Sequence, residues 1–210
     1  MPEAPDAAEI RAVACLVEKQ RTTPDVYPLS LNSLRVACNQ ATNRDPVVDY
    51  DEATIKEALA RLRRRGWTRL ASGAGSRAAK YRHLLDEAIG LSRDEQAVLC
   101  VLMLRGPQTP GELKGRTERM HAFADLAAIE DVLDRLGDRG LTARLPRRPG
   151  QKEDRFAQRI GGDEEPAEDA IAAATPVPAA ADDLAARVER LERAVAELRA
   201  ELQAQRTRPG

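Results

Sequence analysis

The residues whose type and spacing best suggest a chemical role in this sequence are arginines. Between Arg61 and Arg82 the chain carries seven arginines and one lysine, with no aspartate or glutamate among them. Guanidinium groups bind phosphate oxygens, so such a run indicates a surface that contacts a nucleic-acid backbone. The alternative is an ordinary solvated helix end, because cations also stabilise a helix carboxyl terminus. We favour the basic surface, because no acidic residue interrupts the run.

The arginines belong to a short sequence motif, called the phrase below, that occurs twice in the chain. Residues 59–70 read LARLRRRGWTRL, and residues 133–145 read LDRLGDRGLTARL. Leucines at helical spacing precede Gly66 in the first copy and Gly140 in the second. Because glycine commonly ends a helix, each copy predicts a helix that stops abruptly and leads into a β-hairpin.

Each phrase closes a longer pattern of three helices followed by two strands. The first repeat has apolar residues at helical spacing from near Glu9, a second helix over 31–38 and a third that begins near Asp51. Capping boxes at Ser92–Glu95 and Thr109–Glu112 open the first two helices of the second repeat. The expected fold is therefore mainly α with small β-hairpins, arranged as two tandem winged-helix domains and a C-terminal coiled-coil helix. The predicted segments are a disordered tail (1–8), the first domain (9–84), the second domain (91–160), an acidic Ala/Pro linker (161–181) and the coiled coil (182–206).

Three long stretches carry a resemblance to a known family. They read EKQRTTPDVYPLSLNSLRVACNQATNRDPV, LMLRGPQTPGELKGRTERMHAF and LPRRPGQKEDRFAQRIGG. They resemble the YceH-type family of bacterial proteins, and the resemblance covers roughly residues 10–162. It implies tandem winged-helix domains and supplies no activity, cofactor or catalytic residue.

A heptad pattern follows the linker. Apolar residues alternate by four and three, with opposite charges at the flanking g and e positions, which favours a parallel two-stranded coil. The predicted homodimer contacts are Leu184, Val188, Leu191, Val195, Leu198 and Leu202. The alternatives are a single amphipathic helix that packs on its own domain, or a frayed tail.

The predicted nucleic-acid contacts lie mainly on the third helix and hairpin of the first repeat. They are Asn43, Arg44, Lys56, Arg61, Arg63, Arg64, Arg77, Lys80, Arg82, Arg147, Arg148 and Lys152. Asp49, Asp51 and Glu52 at the start of the third helix would repel phosphates, so we expect backbone contacts more than base readout. The loop containing Asn43 is equally consistent with a turn closed by its own side chains.

No set of residues in the sequence has the spacing of a catalytic or metal site. The two histidines, His83 and His121, lie in different repeats, and the three cysteines lie among apolar helical neighbours. We therefore expect no enzymatic activity, no metal and no cofactor. The N-terminus lacks the features of a signal peptide and no apolar run is long enough to span a membrane, which favours a cytoplasmic protein.

These patterns favour a dimeric protein that binds duplex DNA through its first repeat, as a regulator or chromosome-associated factor. The third helix of the second repeat is acidic, which suits a protein partner better than a phosphate-lined groove. The alternative function is a protein-interaction scaffold that uses the winged-helix fold without nucleic acid. Single-strand RNA recognition is less favoured, because few aromatic residues are present for stacking.

Overall fold

Seven α-helices and two small antiparallel sheets form the described part of this computed structural model, which covers residues 4–71, 79–147 and 153–162. The expected mainly helical class with small hairpins is confirmed. Residues 1–164 cluster as one unit, so the described parts of both repeats lie in the same body.

The first repeat has the order helix, strand, helix, helix, strand, strand. Its elements are α1 (Ala7–Thr22), β1 (Leu29–Ser30), α2 (Leu31–Cys38), α3 (Glu52–Arg64), β2 (Thr68–Leu70) and β3 (Lys80–His83), with a short 3-10 turn at Pro24–Val26 after α1. β3 lies between β1 and β2 and is antiparallel to both. β1 is a third strand that the sequence pattern did not predict, because two residues are too few to show alternation.

A short helix, α4 (Leu85–Ile89), leads to the second repeat. There the elements are α5 (Arg93–Arg105), α6 (Pro110–Thr117), α7 (Leu126–Asp138), β4 (Thr142–Leu145) and β5 (Arg155–Gln158). β4 and β5 pair as a hairpin, and a single bridge joins Gln108 to Phe156 where the first repeat has β1. The two repeats therefore share the order of their three helices and final two strands.

Local sequence explains where the helices start. Asp51 caps α3 by accepting the Thr54 amide at 2.8 Å, and Thr109 caps α6 ahead of Pro110. These two helix starts were predicted correctly. The predicted tail over residues 1–8 is wrong at its inner end: Asp6 caps α1, which begins at Ala7. The Ala/Pro-rich composition hid this start.

One apolar core runs through both repeats. α1 is buried continuously over 11–17 and α5 over 95–104, and these two helices pack against each other. Cys100 on α5 donates its thiol hydrogen to the carbonyl oxygen of Ala14 on α1, with the two heavy atoms 3.3 Å apart. Both central helices are apolar around most of their circumference because each is covered by its own repeat and by the other.

The last described residues return to the first helix. A methyl group built on Gly161 would lie 2.8 Å from Cδ1 of Ile10, and one built on Gly162 would lie 3.3 Å from Cβ of Ala4. Residues 4–10 and 160–162 are therefore in close contact, and a side chain at position 161 would force Ile10 to move.

Candidate nucleic-acid interface

Two arginines of the first phrase bind an acid on α1. Glu9 accepts Nε of Arg61 at 3.1 Å and Nε of Arg65 at 2.9 Å, one on each carboxylate oxygen. Arg61 also reaches Asp6 with a 2.5 Å contact. The Glu9 side chain is almost fully buried, so these arginines supply the positive charge that its burial requires.

The second repeat builds the same arrangement with residues from its own phrase. Glu95 at the start of α5 pairs with Arg139 at 3.2 Å and with Arg135 at 3.6 Å, and Arg135 also reaches Asp94. Burial disfavours the charged carboxylate of Glu95. Hydrogen bonds from Ser92 and the two guanidinium charges outweigh this effect and hold the pKa of Glu95 below its usual range.

The arginines common to both phrases therefore fasten the third helix of each repeat to its first helix. Arg61 corresponds to Arg135 and Arg65 to Arg139 at the same sequence offset as the two terminal glycines. Arg61 was predicted to contact nucleic acid. The structure shows it one-third exposed and engaged with three carboxylates, those of Asp6, Glu9 and Glu57. Its role is structural, and it is a poor phosphate contact.

The arginines that the two phrases do not share are exposed. Arg63 and Arg64 lie in the last turn of α3, and neither makes an ion pair within the described residues. Gly137 and Asp138 occupy the equivalent positions of α7. The difference between the two phrases is thus concentrated on the solvent-facing side of the helix end, where charge is available to a partner.

The hairpin that follows this helix end in the first repeat carries further cations. Arg69 on β2 faces Arg82 on β3 across the ladder, and Lys80 lies two residues before Arg82 on the same face. Arg82 is paired with Glu87 at 3.1 Å, whereas Arg69 is exposed and makes no ion pair within the described residues. Arg69 was not singled out from the sequence. The alternation of the strand is the signal that could have identified it.

The prediction for Arg44 is wrong. Its side chain is 0% exposed, and its guanidinium binds both carboxylate oxygens of Glu18, at 3.1 and 2.6 Å. Its Nε also donates to the carbonyl oxygen of Ala37 near the end of α2. Burial by itself raises the pKa of the Glu18 carboxyl. The hydrogen bonds and positive charge of Arg44 outweigh this effect, so the pKa of Glu18 is lowered. Arg44 is a core ion-pair residue that closes α2 and its following loop.

Asn43 remains exposed beside Arg44, in the left-handed backbone region at φ 61°. Its side-chain oxygen accepts a hydrogen bond from Arg105 at the end of α5. Asparagine tolerates this conformation better than most residues. This contact ties the loop to the second repeat, whereas the hydrogen bonds of Arg44 to the Asn43 carbonyl and to Gln40 support a turn closed by its own side chains.

The start of α3 presents acids to solvent. Asp49, Asp51 and Glu52 are all exposed, and Lys56 pairs with Glu52 at 2.9 Å. Hydrogen bonds from Thr54 hold the pKa of Asp51 below its usual range, so its negative charge persists at the helix terminus. Lys56 is therefore partly neutralised, and any phosphate surface is confined to the other end of α3 and the hairpin.

Several predicted contacts lie outside the described residues. They are Arg77, Arg148 and Lys152, and the six heptad residues Leu184, Val188, Leu191, Val195, Leu198 and Leu202. Arg147 is described, and its Nε pairs with Asp154 at 2.7 Å. Arg144 binds the same carboxylate, so this hairpin carries its own countercharge.

The outer face of α7 is acidic. Glu130, Asp131, Asp134 and Asp138 are all exposed, and Leu126 at the start of the helix is 45% exposed. The inner stripe of Ile129, Val132, Leu133 and Leu136 is buried. The third helices of the two repeats therefore pack alike, and their C-terminal ends present opposite charge to solvent, Arg63 and Arg64 on α3 against Asp134 and Asp138 on α7.

The histidines and cysteines are packed. His83 is buried, its Nε2 lies 2.6 Å from Oε1 of Gln20, and burial lowers its pKa to about 4. His121 stacks edge-on against Phe123 with ring centroids 4.5 Å apart. All three cysteines are buried and reduced. The described residues contain no cluster of three or more His, Cys, Asp or Glu side chains that could hold a metal. No helix among them is long and apolar enough to cross a membrane.

Comparison with known proteins gives a consistent family. Residues 6–151 match the model described as "Protein of unknown function, DUF480". A UPF0502 protein of Solibacter usitatus (strain Ellin6076) is 50% identical over 194 residues, which cover 92% of each chain. A UPF0502 protein of Pelobacter propionicus (strain DSM 2379) is 50% identical over 201 residues, which cover 92% of this chain and 90% of that protein. The chain therefore belongs to the DUF480 family of bacterial proteins, whose relatives carry the name UPF0502.

Proposed function

We propose that this protein is a DNA-binding protein of two tandem winged-helix domains, in which the first repeat contacts duplex phosphates. The first repeat has the order helix, strand, helix, helix, strand, strand, and the second repeat has a single bridge in place of the first strand; this arrangement supports the winged-helix assignment. The observation that carries the function is the exposed, unneutralised charge of Arg63 and Arg64 at the end of α3, with Arg69 on the adjoining strand.

The contacts are to the phosphate backbone rather than to base edges. In helix-turn-helix proteins the first residues of the recognition helix reach the bases. Here that end carries Asp51 and Glu52, and its one lysine is already paired. Binding through the opposite helix end and the hairpin orients the protein on the duplex without reading sequence.

The test is fluorescence anisotropy of the full chain on a labelled random-sequence duplex, from low to physiological salt. We expect the Arg63→Ala/Arg64→Ala variant to weaken binding to all sequences alike. The slope of log affinity against log salt should flatten by about 1 for each phosphate contact removed. Arg93→Ala is the matched control, since Arg93 is exposed on α5 and makes no ion pair within the described residues. Unchanged affinity and slope in the double variant would refute the assignment.

The predicted homodimer belongs to the same proposal. Two copies joined by the heptads at 184–202 would present two basic surfaces and so raise the affinity for one duplex. A chain that ends at Ala181 lacks every heptad residue. In the same titration it should bind more weakly than the full chain, and sedimentation should show it as a monomer.

A second candidate function is a protein scaffold. The exposed acids of α7 favour it, because an acidic helix suits a basic protein surface better than DNA. Absence of duplex binding at low salt, together with a stoichiometric protein partner retained after nuclease treatment, would replace the first proposal with this one.

A further inference from the structure

A second cationic site lies away from the basic helix end, in a cleft where the two repeats meet. The cleft has a volume of about 360 Å³. One wall is formed by the end of α1 and the loop after α2, and the other by the end of α5 and by α6. Pockets for small ligands have volumes from about 300 Å³ upward, so the cleft accommodates a small organic molecule.

The lining is strongly cationic. Lys19, Arg105, Arg116 and Arg119 contribute four positive charges, and Glu18 is the only carboxylate residue that lines the cleft within the described residues. Glu18 is already bound by both guanidinium nitrogens of the buried Arg44. The cleft therefore has more positive charge than its own acids can neutralise.

Two of these cations lack a carboxylate partner within the described residues. Arg119 is exposed, and Arg105 is bonded only to the neutral amide of Asn43. Burial and the charges of Arg116 and Arg44 lower the pKa of Arg105. A guanidinium crowded by other cations and partly withdrawn from water is a favourable position for an anion.

A few apolar side chains also line the cleft. Val101 and Leu104 on α5 are nearly fully buried, and Met120 is partly buried against the core. A concave site of this size that is lined by cations does not fit the outer surface of a rod-shaped duplex. It fits a compact molecule with an apolar part and a doubly charged anionic group.

We propose that this cleft binds a small phosphorylated organic molecule, with Arg105 and Arg119 holding the phosphate oxygens and Met120 contacting its apolar part. The site is separate from Arg63 and Arg64 and does not depend on the proposed DNA contact. An occupant that binds only the folded cleft would stabilise the folded unit.

The test is isothermal titration of the full chain with adenosine 5′-diphosphate, pyrophosphate and citrate, supported by thermal melting. We expect one saturable site, with the nucleotide bound more tightly than pyrophosphate because Met120 contacts its apolar part, and citrate bound most weakly. Arg119→Gln and Arg105→Gln should each reduce nucleotide affinity by about tenfold, the usual effect of losing one charged hydrogen bond.

The controls separate this site from the DNA surface. Arg93→Gln, at the other end of α5 from Arg105, should leave nucleotide binding unchanged, and so should Arg63→Ala/Arg64→Ala. Arg119 is exposed, so its variant should fold normally and keeps the test valid if Arg105→Gln is unstable. The proposal is overturned if none of the probes binds, if citrate binds as tightly as the nucleotide, or if Arg119→Gln binds normally.

Discussion

The two repeats differ most on their solvent-exposed surfaces and least in their internal contacts. In each, a glutamate at the start of the first helix holds two arginines, four residues apart, on the third helix: Glu9 with Arg61 and Arg65, and Glu95 with its own pair. Between those arginines the first repeat has two more arginines and the second has glycine and aspartate. Positions at which the two repeats carry the same residue type are therefore those that pack internally. Positions at which they differ form the surface available to different partners.

Removing the internal ion pairs should change the stability of the protein most. Glu9→Ala removes a buried carboxylate and leaves Arg61 and Arg65 without it, which we expect to lower the free energy of unfolding by about 3 kcal/mol. Glu95→Ala should lower it by about 1 kcal/mol, because Arg135 and Arg139 are more exposed than their counterparts and lose less. Urea denaturation of the two variants measures both values. Equal losses would show that the two clusters are energetically equivalent despite their different burial.

A second prediction concerns the pH dependence of stability. It depends on an equivalent strand position at which the two repeats carry different residues. His83 faces Thr68 in the first hairpin, and Gln158 faces Thr142 in the second. Burial lowers the pKa of His83 to about 4, against the opposing effect of Asp86, from an ordinary value of 6.5. The unfolded chain therefore binds a proton at a higher pH than the folded chain does. The contribution of neutral His83 to the free energy of unfolding is complete above pH 6.5. It is lost as the pH falls to 4, which lowers the free energy of unfolding by up to about 3 kcal/mol.

His83→Gln gives the first repeat the residue of the second and should remove this pH dependence. Stability measured by urea at intervals from pH 7 to 4 should fall less steeply in the variant than in the parent. The amide can still accept the Leu85 backbone hydrogen that the imidazole accepts now. An identical profile in both proteins would mean that carboxylates alone set the acid sensitivity.

The smallest effect tests a feature that the repeats share. Gly66 and Gly140 both have positive φ, 76° and 68°, and neither has an atom within 4 Å of an added methyl group. Alanine at either site should cost about 1 kcal/mol, from backbone conformation alone. Gly115→Ala is the control: it lies inside α6 in open space, so alanine there should stabilise the protein by up to about 1 kcal/mol. Unequal losses at the two turns would indicate an additional contact at one of them.

Much of the fold could be predicted because local signals and packing agree. Asp51, Thr109 and the glycines of the two phrases mark helix boundaries through backbone chemistry that acts over a few residues. The strand β1 and the start of α1 were missed, since the strand is formed by pairing with distant Lys80 and Tyr81 and the helix start lies in an Ala/Pro-rich segment.

The site was harder to predict, because charge in a sequence does not show its countercharge. Arg61 is neutralised by Glu9, which lies 52 residues away in the chain, and Arg44 by Glu18, which lies 26 residues away. The acid-free run that suggested the basic surface is therefore acid-free only in sequence, because folding pairs three of its arginines, Arg61, Arg65 and Arg82, with acids from elsewhere. Arg63 and Arg64 remain available because no element that packs on α3 brings an acid to them within the described residues.

The contact of Gly161 and Gly162 with the beginning of α1 has a consequence for chain connectivity. Residues 4 and 162 are neighbours in space, although 158 positions separate them in the sequence. A short peptide joining these two positions, with a new opening placed between residues 71 and 79, would produce a circularly permuted protein with the same core. A fluorophore or tag attached at either of the two original positions would report on one and the same corner of the molecule.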